Sequence, residues 1–111
     1  MVQYVPPLTT AFSALADPTR RGILKRLGRS AAAISELAEA FDMTLTGVKK
    51  HVQVLEAAGL VTTEKVGRIR HCRLGPAQLE AEAEWIADYR RMLEERLDRL
   101  GEFLERTRES P

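Results

Sequence analysis

The fold is decided by the stretch ISELAEAFDMTLTGVKKHVQVLEAAGLV, which spans residues 34–61. Residues 34–41 place apolar side chains at helical spacing and predict a short amphipathic helix of about two turns. The pattern then breaks, and Thr44 is a suitable N-cap for a second, longer helix that ends at Gly59. Residues 34–59 are therefore predicted to form two helices joined by a tight turn, the arrangement known as a helix-turn-helix.

The second of these helices has one apolar face and one polar face. Three apolar residues fall within a narrow arc at about 3.6 residues per turn, namely Val48, Val52 and Leu55. The opposite arc carries Thr46, Lys50 and Gln53, with Lys49 to one side. Gln can bond an adenine edge, Lys can reach a guanine edge or a phosphate, and Thr can meet a thymine methyl. The helix therefore suits the major groove of DNA, although the same polar face on an isolated helix would more often be only solvated.

Three further residues complete the set that we expect to contact DNA. Thr44 stands at the start of this second helix, the candidate recognition helix. Gly47 lies on the outer flank, where the lack of a side chain lets a backbone approach closely at a cost of about 1 kcal/mol in helix propensity. His51 lies at the border of the buried arc, so it either packs inside the fold or contacts a phosphate.

Residues 61–74 change in composition and predict a β-hairpin. β-branched residues flank Gly67, which can take the positive φ that a tight turn requires. Arg68 and Arg70 lie at or just after this turn, where a wing beside the recognition helix would meet phosphates or the minor groove. Arg73 lies nearer the body of the protein, so a structural or surface role is favoured for it over a contact with DNA.

Two helices are predicted upstream of this segment. Residues 1–7 predict a loose tail, and residues 8–16 predict a first helix with an apolar face formed by Leu8, Phe12 and Leu15. Asp17 can accept a hydrogen bond from a free helix-start N–H, and Pro18 fits the first helical position. A second helix is therefore predicted from this point to about Leu27.

The last predicted helix covers residues 76–107 and carries a long seam. Its positions alternate between spacings of four and three residues, and all but one are apolar. The seam consists of Leu79, Ala83, Ile86, Arg90, Leu93, Leu97, Leu100 and Leu104. A helix of about 45 Å is far longer than the radius of gyration of about 13 Å for a domain of this size, so one subunit cannot cover the seam. We expect this helix and the helix at residues 8–16 to form a homodimer contact.

Length and charge agree with a single DNA-binding domain over residues 1–111. A chain of 111 residues that is 44% hydrophobic has a common single-domain size and a folded composition. Residues 1–75 contain eleven Lys or Arg against six Asp or Glu, whereas residues 76–111 contain six against ten. The basic part is expected to meet a polyanion, for which double-stranded DNA is the leading candidate and RNA or an anionic protein the alternatives.

The sequence also favours a cytoplasmic protein without a membrane partner. Its single cysteine cannot form an internal disulfide, and the N-terminus lacks the basic start and apolar stretch of a secretory signal. The apolar runs are far shorter than the about 20 residues needed to cross a bilayer.

No grouping of residues indicates catalysis, a metal site or a cofactor. The sequence has no glycine-rich phosphate loop, no nucleophile elbow and no His-carboxylate grouping. His71 and Cys72 are neighbours in a strand and point to opposite faces, which argues against their binding one metal together. Cys72 alternates with Leu74 and is expected to be a buried, unreactive thiol, with a redox switch as the alternative.

The chain resembles the ArsR/SmtB family of winged-helix repressors over nearly its entire length. The resemblance rests on FSALADPTRRGIL, on ISELAEAFDMTLTGVKKHVQVLEAAGLV and on the wing GRIRHCRL. It implies a homodimer whose first and last helices form the subunit contact. It also implies two recognition helices on successive major grooves of an imperfect palindrome, and repression by blocking a promoter.

Many members of that family sense metals, through a Cys pair before the turn or through His and carboxylates on the last helix. Here the matching stretch SELAEAFD has no Cys, and residues 76–111 contain neither His nor Cys. Soft metals need thiolate or imidazole ligands. The resemblance therefore implies the metal-free branch of the family, in which the small-molecule effector is unknown.

The expected fold is mainly α, a winged helix-turn-helix with a two-stranded β-hairpin wing and a long C-terminal dimerisation helix. The expected function is that of a sequence-specific DNA-binding transcriptional regulator. The alternative is a protein-interaction module that uses the last helix and does not bind DNA. Such a module would lack cations on its recognition face, whereas Lys49 and Lys50 are present.

Overall fold

The computed structural model describes residues 8–109, and the tail predicted over residues 1–7 lies outside them. The elements in chain order are α1 (Leu8–Leu15), α2 (Pro18–Leu27), β1 (Ala32–Ala33), α3 (Ile34–Ala40), α4 (Leu45–Ala57), β2 (Val61–Val66), β3 (Ile69–Leu74) and α5 (Glu80–Glu109). The predicted order of helix-turn-helix, hairpin and long last helix is confirmed. The described chain divides into two compact units, one ending at Gln78 and one beginning at Leu79. A single functional domain over residues 1–111 stays a prediction.

The strands form a three-stranded antiparallel sheet in the order β1-β3-β2. β2 and β3 pair up to Val66 opposite Ile69, which leaves Gly67 and Arg68 as the turn. Gly67 has a φ of 64°, and a Gly at the first central position is typical of a type II′ hairpin turn. The two-stranded wing is confirmed, but the sequence did not predict the short strand β1, because two alanines give no strand signal.

The core of the first unit lies where α2, α3 and α4 pack together and against the sheet. Its largest fully buried side chains are Ile23, Leu37, Leu55, Val48, Val61 and Cys72. The predicted inward arc of α4 is confirmed, since Val48, Val52 and Leu55 are 0%, 2% and 0% exposed. Burial of each such side chain contributes roughly 1.5–3 kcal/mol relative to exposure. These contacts fix the rotation of α4 about its own axis.

Backbone hydrogen bonds set the turn between α3 and α4. The N–H of Met43 donates to the carbonyl of Ala38 at 2.9 Å, which closes a Schellman motif at the end of α3. Asp42 takes the left-handed conformation with a φ of 51°, which Asp tolerates better than most residues. The Oγ1 of Thr44 accepts a hydrogen bond from the N–H of Gly47 at 3.0 Å, so the predicted N-cap of α4 is confirmed.

A second Schellman motif ends α4. The N–H of Leu60 donates to the carbonyl of Leu55 at 2.9 Å, and the N–H of Gly59 donates to that of Glu56 at 3.0 Å. Gly59 has a φ of 74°, a conformation that is costly for residues with a Cβ. The predicted end of the recognition helix at Gly59 is thus confirmed.

The predicted start of the last helix at Pro76 is wrong, because α5 begins at Glu80. The intervening segment is tied to the end of α4, since the N–H of Ala77 donates to the carbonyl of Gly59 at 3.1 Å. Leu79 has a φ of 58°, which no helix interior allows. Leu79 therefore precedes the helix, and its part in a dimer contact stays a prediction.

Gly59→Ala should destabilise the first unit by about 1–2 kcal/mol, the cost of a left-handed residue with a Cβ. The added Cβ would lie 3.5 Å from the Cβ of Ala77, which is ordinary contact, so strain and not a clash would cause the loss. Chemical denaturation measures it. The control is Gly101→Ala in α5, where the Cβ meets open space and a gain of up to about 1 kcal/mol is expected. Equal stabilities of wild type and the Gly59 variant would contradict the role of this turn.

Candidate nucleic-acid interface

The outer face of α4 is a polar ridge that lies opposite its buried arc. The exposed residues of this ridge are Thr46, Lys49, Lys50 and Gln53. Thr44 at the N-cap is also exposed, and Gly47 is half-buried. A Cβ on Gly47 would lie 3.2 Å from both the Cε of Met43 and the Oγ1 of Thr44. The missing side chain of Gly47 therefore also leaves room for the N-cap.

The register of the wing divides its side chains between two faces. Residues directly opposite each other on paired strands share a face. Lys65 lies opposite Arg70, on the same face as the buried Cys72. On the other face, the Nη1 of Arg73 lies 3.4 Å from the Oε2 of Glu64, and both side chains are mostly exposed. Arg73 is thus an exposed residue paired with Glu64, which agrees with the structural or surface role that the sequence favours.

A cationic cleft joins the wing to the helix-turn-helix. The cleft has a volume of about 380 Å³ and lies between the first half of α4 and the inner face of the wing. Its cationic side chains are Lys49, Lys65, Arg68 and Arg70, and none of the described residues that line it is acidic. A concave surface lined by charges of one sign concentrates the field that attracts an anionic ligand. The structure therefore brings Lys49 together with both predicted wing arginines, whereas Thr46, Lys50 and His51 lie outside this cleft.

Lys65 and Leu45 are among the lining residues of the cleft that the sequence analysis missed. Lys65 could have been found from the hairpin register, since a two-residue turn at positions 67 and 68 places it opposite Arg70. Leu45 gave no usable signal, because a helical wheel places it close to the inward arc of α4. As the first residue of the helix it is instead 50% exposed and lines the cleft.

A smaller cleft of about 320 Å³ lies along the second half of α4 and also includes Lys49, Gln53 and Arg70. A chain of two hydrogen bonds crosses it. The Nη1 of Arg70 donates to the Oγ1 of Thr63 at 2.9 Å. The hydroxyl of Thr63 in turn donates to the Oε2 of Glu56 at 2.7 Å. The wing is therefore bonded to the recognition helix through side chains as well as through the shared core.

Comparison with known proteins identifies the class to which this geometry belongs. Residues 15–64 match a family model described as a helix-turn-helix domain. The crystal structure of an ArsR family transcriptional regulator is 44% identical, with a TM-score of 0.72, over 85% of this chain and 97% of that protein. The chain belongs to the ArsR family of transcriptional regulators.

Two further relatives show how widely this likeness extends. The HTH-type transcriptional regulator Rv2034 of Mycobacterium tuberculosis is 39% identical over 71 residues, which are 64% of this chain and 66% of that protein. The solution structure of a homodimeric winged helix-turn-helix DNA-binding domain from Mycobacterium bovis has a TM-score of 0.60 and 27% identity, over 83% of this chain and 82% of that one. This ArsR-family chain accordingly has the winged helix-turn-helix fold of a transcriptional regulator.

Behind the recognition helix of this ArsR-family protein, Arg20 links three helices. Its Nε and Nη2 donate to the carbonyls of Ala14 and Ser13 at the end of α1, at 2.8 and 2.9 Å. Its Nη1 lies 3.3 Å from the Nδ1 of His51 on α4. Because a guanidinium only donates, Nδ1 of His51 accepts this bond. The contact favours the packing role for His51 over the phosphate contact that the sequence left as an alternative.

Cys72 and His71 lie on opposite faces of β3, as predicted. Cys72 is 0% exposed, whereas His71 is exposed. Burial raises the pKa of the Cys72 thiol, which keeps it protonated and unreactive. Over residues 8–109, no three His, Cys, Asp or Glu side chains are placed so that they could hold a metal ion. Over the same residues, no helix has the length and apolar character needed to span a membrane.

Asp17 gives this regulator a pH-dependent contribution to stability. Its Oδ2 accepts a hydrogen bond from the backbone N–H of Arg20 at 3.0 Å, which confirms the predicted cap of α2. This bond, more than the nearby charge of Arg20, holds the pKa of the Asp17 carboxyl below its ordinary value. Because the folded pKa is lower than the unfolded one, the contribution is present above about pH 4 and is lost as the pH falls through the folded value.

Asp17→Asn should therefore lose less stability than the wild type between about pH 5 and pH 2. Asn still accepts the hydrogen bond of a helix N-terminus but does not titrate in this range. Denaturant unfolding at a series of pH values measures the difference. Asp98→Asn, which removes an exposed carboxylate of α5, should keep the pH dependence of the wild type. Parallel curves for wild type and the Asp17 variant would rule out this contribution.

Proposed function

We propose that the chain is a cytoplasmic, homodimeric transcriptional repressor that binds an imperfect palindromic operator in a promoter. The observation that carries the proposal is the exposed ridge of α4 beside the cationic cleft of the wing. A helix in the major groove with a wing at the adjacent phosphates would use both surfaces at once.

The two surfaces have different parts in this binding. Thr46, Lys50 and Gln53 on the ridge face the base edges of the major groove and select the sequence. Lys49, Lys65, Arg68 and Arg70 in the cleft neutralise phosphates and supply affinity that falls steeply with salt. Thr44 and Gly47 lie at the end of α4 that enters the groove, and His51 contributes by holding α4 against α2.

The dimer in this proposal is formed by the apolar faces of α1 and α5. Nine large apolar side chains of α5 are exposed in the single chain: Trp85, Ile86, Tyr89, Met92, Leu93, Leu97, Leu100, Phe103 and Leu104. Exposed apolar surface on this scale indicates an interface. On α1, Leu8, Phe12 and Leu15 are half-exposed, while Ala11 and Ala14 are buried. The Mycobacterium bovis relative, which is described as homodimeric, supports the same assembly here.

Repression follows from occupancy, because a dimer on a promoter site excludes other proteins from the same DNA. The chain requires no cofactor in this scheme, and its effector is unidentified. The alternative function, a protein-interaction module without DNA binding, is favoured only by the exposed apolar face of α5. It gives no reason for four cationic side chains around one cleft.

Replacing Lys49 and Lys50 together with Ala should weaken binding to operator DNA by about tenfold or more, since each good base or phosphate contact contributes about 1–3 kcal/mol. The dependence of log affinity on log salt should also become shallower by about 1 to 2 units. Fluorescence anisotropy with DNA fragments selected by the purified wild type measures both. Arg106→Ala with Arg108→Ala removes two charges from the last turn of α5 and should change neither quantity. Wild-type affinity in the Lys variant would count against DNA binding by this face.

Leu93→Glu with Leu97→Glu should convert a dimer of twice 12.4 kDa into a monomer, because four carboxylates would meet at the seam of the dimer. Light scattering after gel filtration gives the mass. Glu95→Ala with Arg99→Ala, on the opposite side of α5, should leave the mass unchanged. A wild type that is monomeric would refute the dimer without bearing on the fold of the first unit.

A further inference from the structure

Two hydrogen bonds join the recognition helix to the wing through one neutral side chain. Among residues 8–109, this is the only place at the interface where a neutral side chain bridges two charged ones. Glu56 lies on α4 and Arg70 on β3, and Thr63 on β2 bonds to both, at 2.7 and 2.9 Å. Thr63 is half-buried and lies opposite the buried Cys72 in the hairpin register. Its hydroxyl is therefore held on the inner face of the wing, toward α4.

The bonding of Thr63 fixes the direction of each proton. A guanidinium has no acceptor and a carboxylate has no donor, so the hydroxyl must accept from Arg70 and donate to Glu56. Both bonds involve a charged partner, and such bonds are stronger than neutral ones. A hydroxyl that accepts one bond and donates another also becomes polarised, which strengthens the pair. The two hydrogen bonds can persist only if Thr63, Glu56 and Arg70 keep their relative positions.

We propose that Thr63 is a positioning residue for DNA binding: it sets the distance between the recognition helix and the wing by joining Glu56 to Arg70. Apart from these two hydrogen bonds, few contacts hold the distal half of the hairpin to α4. Beyond Thr63 every residue of the turn and its flanks is exposed, from position 64 to position 71. A hairpin without a buried face is only marginally ordered.

This role explains why an acidic residue lies at the edge of a surface meant for DNA. The carboxylate of Glu56 repels phosphates, so its presence beside Lys49 and Arg70 requires a reason. Within the chain, Glu56 holds the hydroxyl that orients Arg70. The orientation of Arg70 therefore depends in part on Thr63. Arg68 at the turn depends on the position of the wing, which the two hydrogen bonds fix. The inference rests on the proposed function and specifies how the wing serves it.

Thr63→Val is the decisive variant because it preserves shape and charge while removing both hydrogen bonds. Three variants form a matched set. Thr63→Ser restores the hydroxyl, and Thr62→Val makes the same change one residue away on the opposite face of the strand. All three leave the net charge unchanged, so a shift in salt dependence would report a lost phosphate contact and nothing else.

The first measurement needs no DNA. Amide hydrogen exchange of the free wild type and variants, followed at residues 64–70, should be about threefold or more faster in Thr63→Val and unchanged in Thr63→Ser and Thr62→Val. Equal exchange in Thr63→Val and Thr62→Val would show that the chain does not hold the wing and would overturn the proposal.

The second measurement is DNA affinity as a function of salt. Thr63→Val should bind about threefold to tenfold more weakly, because DNA binding must then order a wing that the two lost hydrogen bonds no longer hold, with an unchanged salt slope. Thr63→Ser should bind as wild type does. An unchanged affinity in Thr63→Val or a salt slope shallower by about 1 would each overturn a positioning role. If the wild type bound no DNA at all, the proposed function would fail while the exchange result still decided whether the chain holds the wing.

Discussion

Burial of one side of α4 is the constraint on which the rest of the surface depends. Val48, Val52 and Leu55 are almost fully inaccessible, and they occupy a single arc of the helix. Turning α4 by even a quarter of a turn would expose part of this arc and bury the charge of Lys49 or Lys50, and both changes are costly. The exposed cationic ridge is therefore a consequence of packing, because burial of the opposite arc fixes the ridge residues on the outer face of α4.

The ends of α4 extend this constraint along the chain. A left-handed residue on each side, Asp42 before it and Gly59 after it, reverses the chain direction with backbone hydrogen bonds. The first reversal sets the angle between α3 and α4. The second delivers the chain into β2, whose first residue Val61 returns to the core. Ridge and wing are thus fixed to the same packed helix from opposite ends.

Periodicity predicted those parts of the structure in which burial repeats along one element. The arc of α4, the cap at Asp17 and the turn at Gly67 follow from residue types and spacings of a few positions. The start of α5 was mispredicted because Pro76 suits a first helical turn, while the bond from Ala77 to Gly59 that ties this segment to the end of α4 is a tertiary contact. Strand β1 was missed for the same reason, because it forms by pairing with β3 and its own two alanines give no strand signal.

The candidate site was likewise predictable where it depends on one element and not where it depends on contacts between elements. Lys49, Lys50 and Gln53 could be assigned from a helical wheel, since their exposure depends only on their own helix. The contribution of Lys65 required the hairpin register, and the link through Thr63 required both that register and the distance of the hairpin from Glu56. A local pattern therefore locates the groups that can touch a nucleic acid, whereas the geometry that lets them touch it together lies in contacts between elements. For a surface that must reach a groove and a phosphate chain at once, that geometry decides affinity, because two correctly charged elements at the wrong separation cannot both bind.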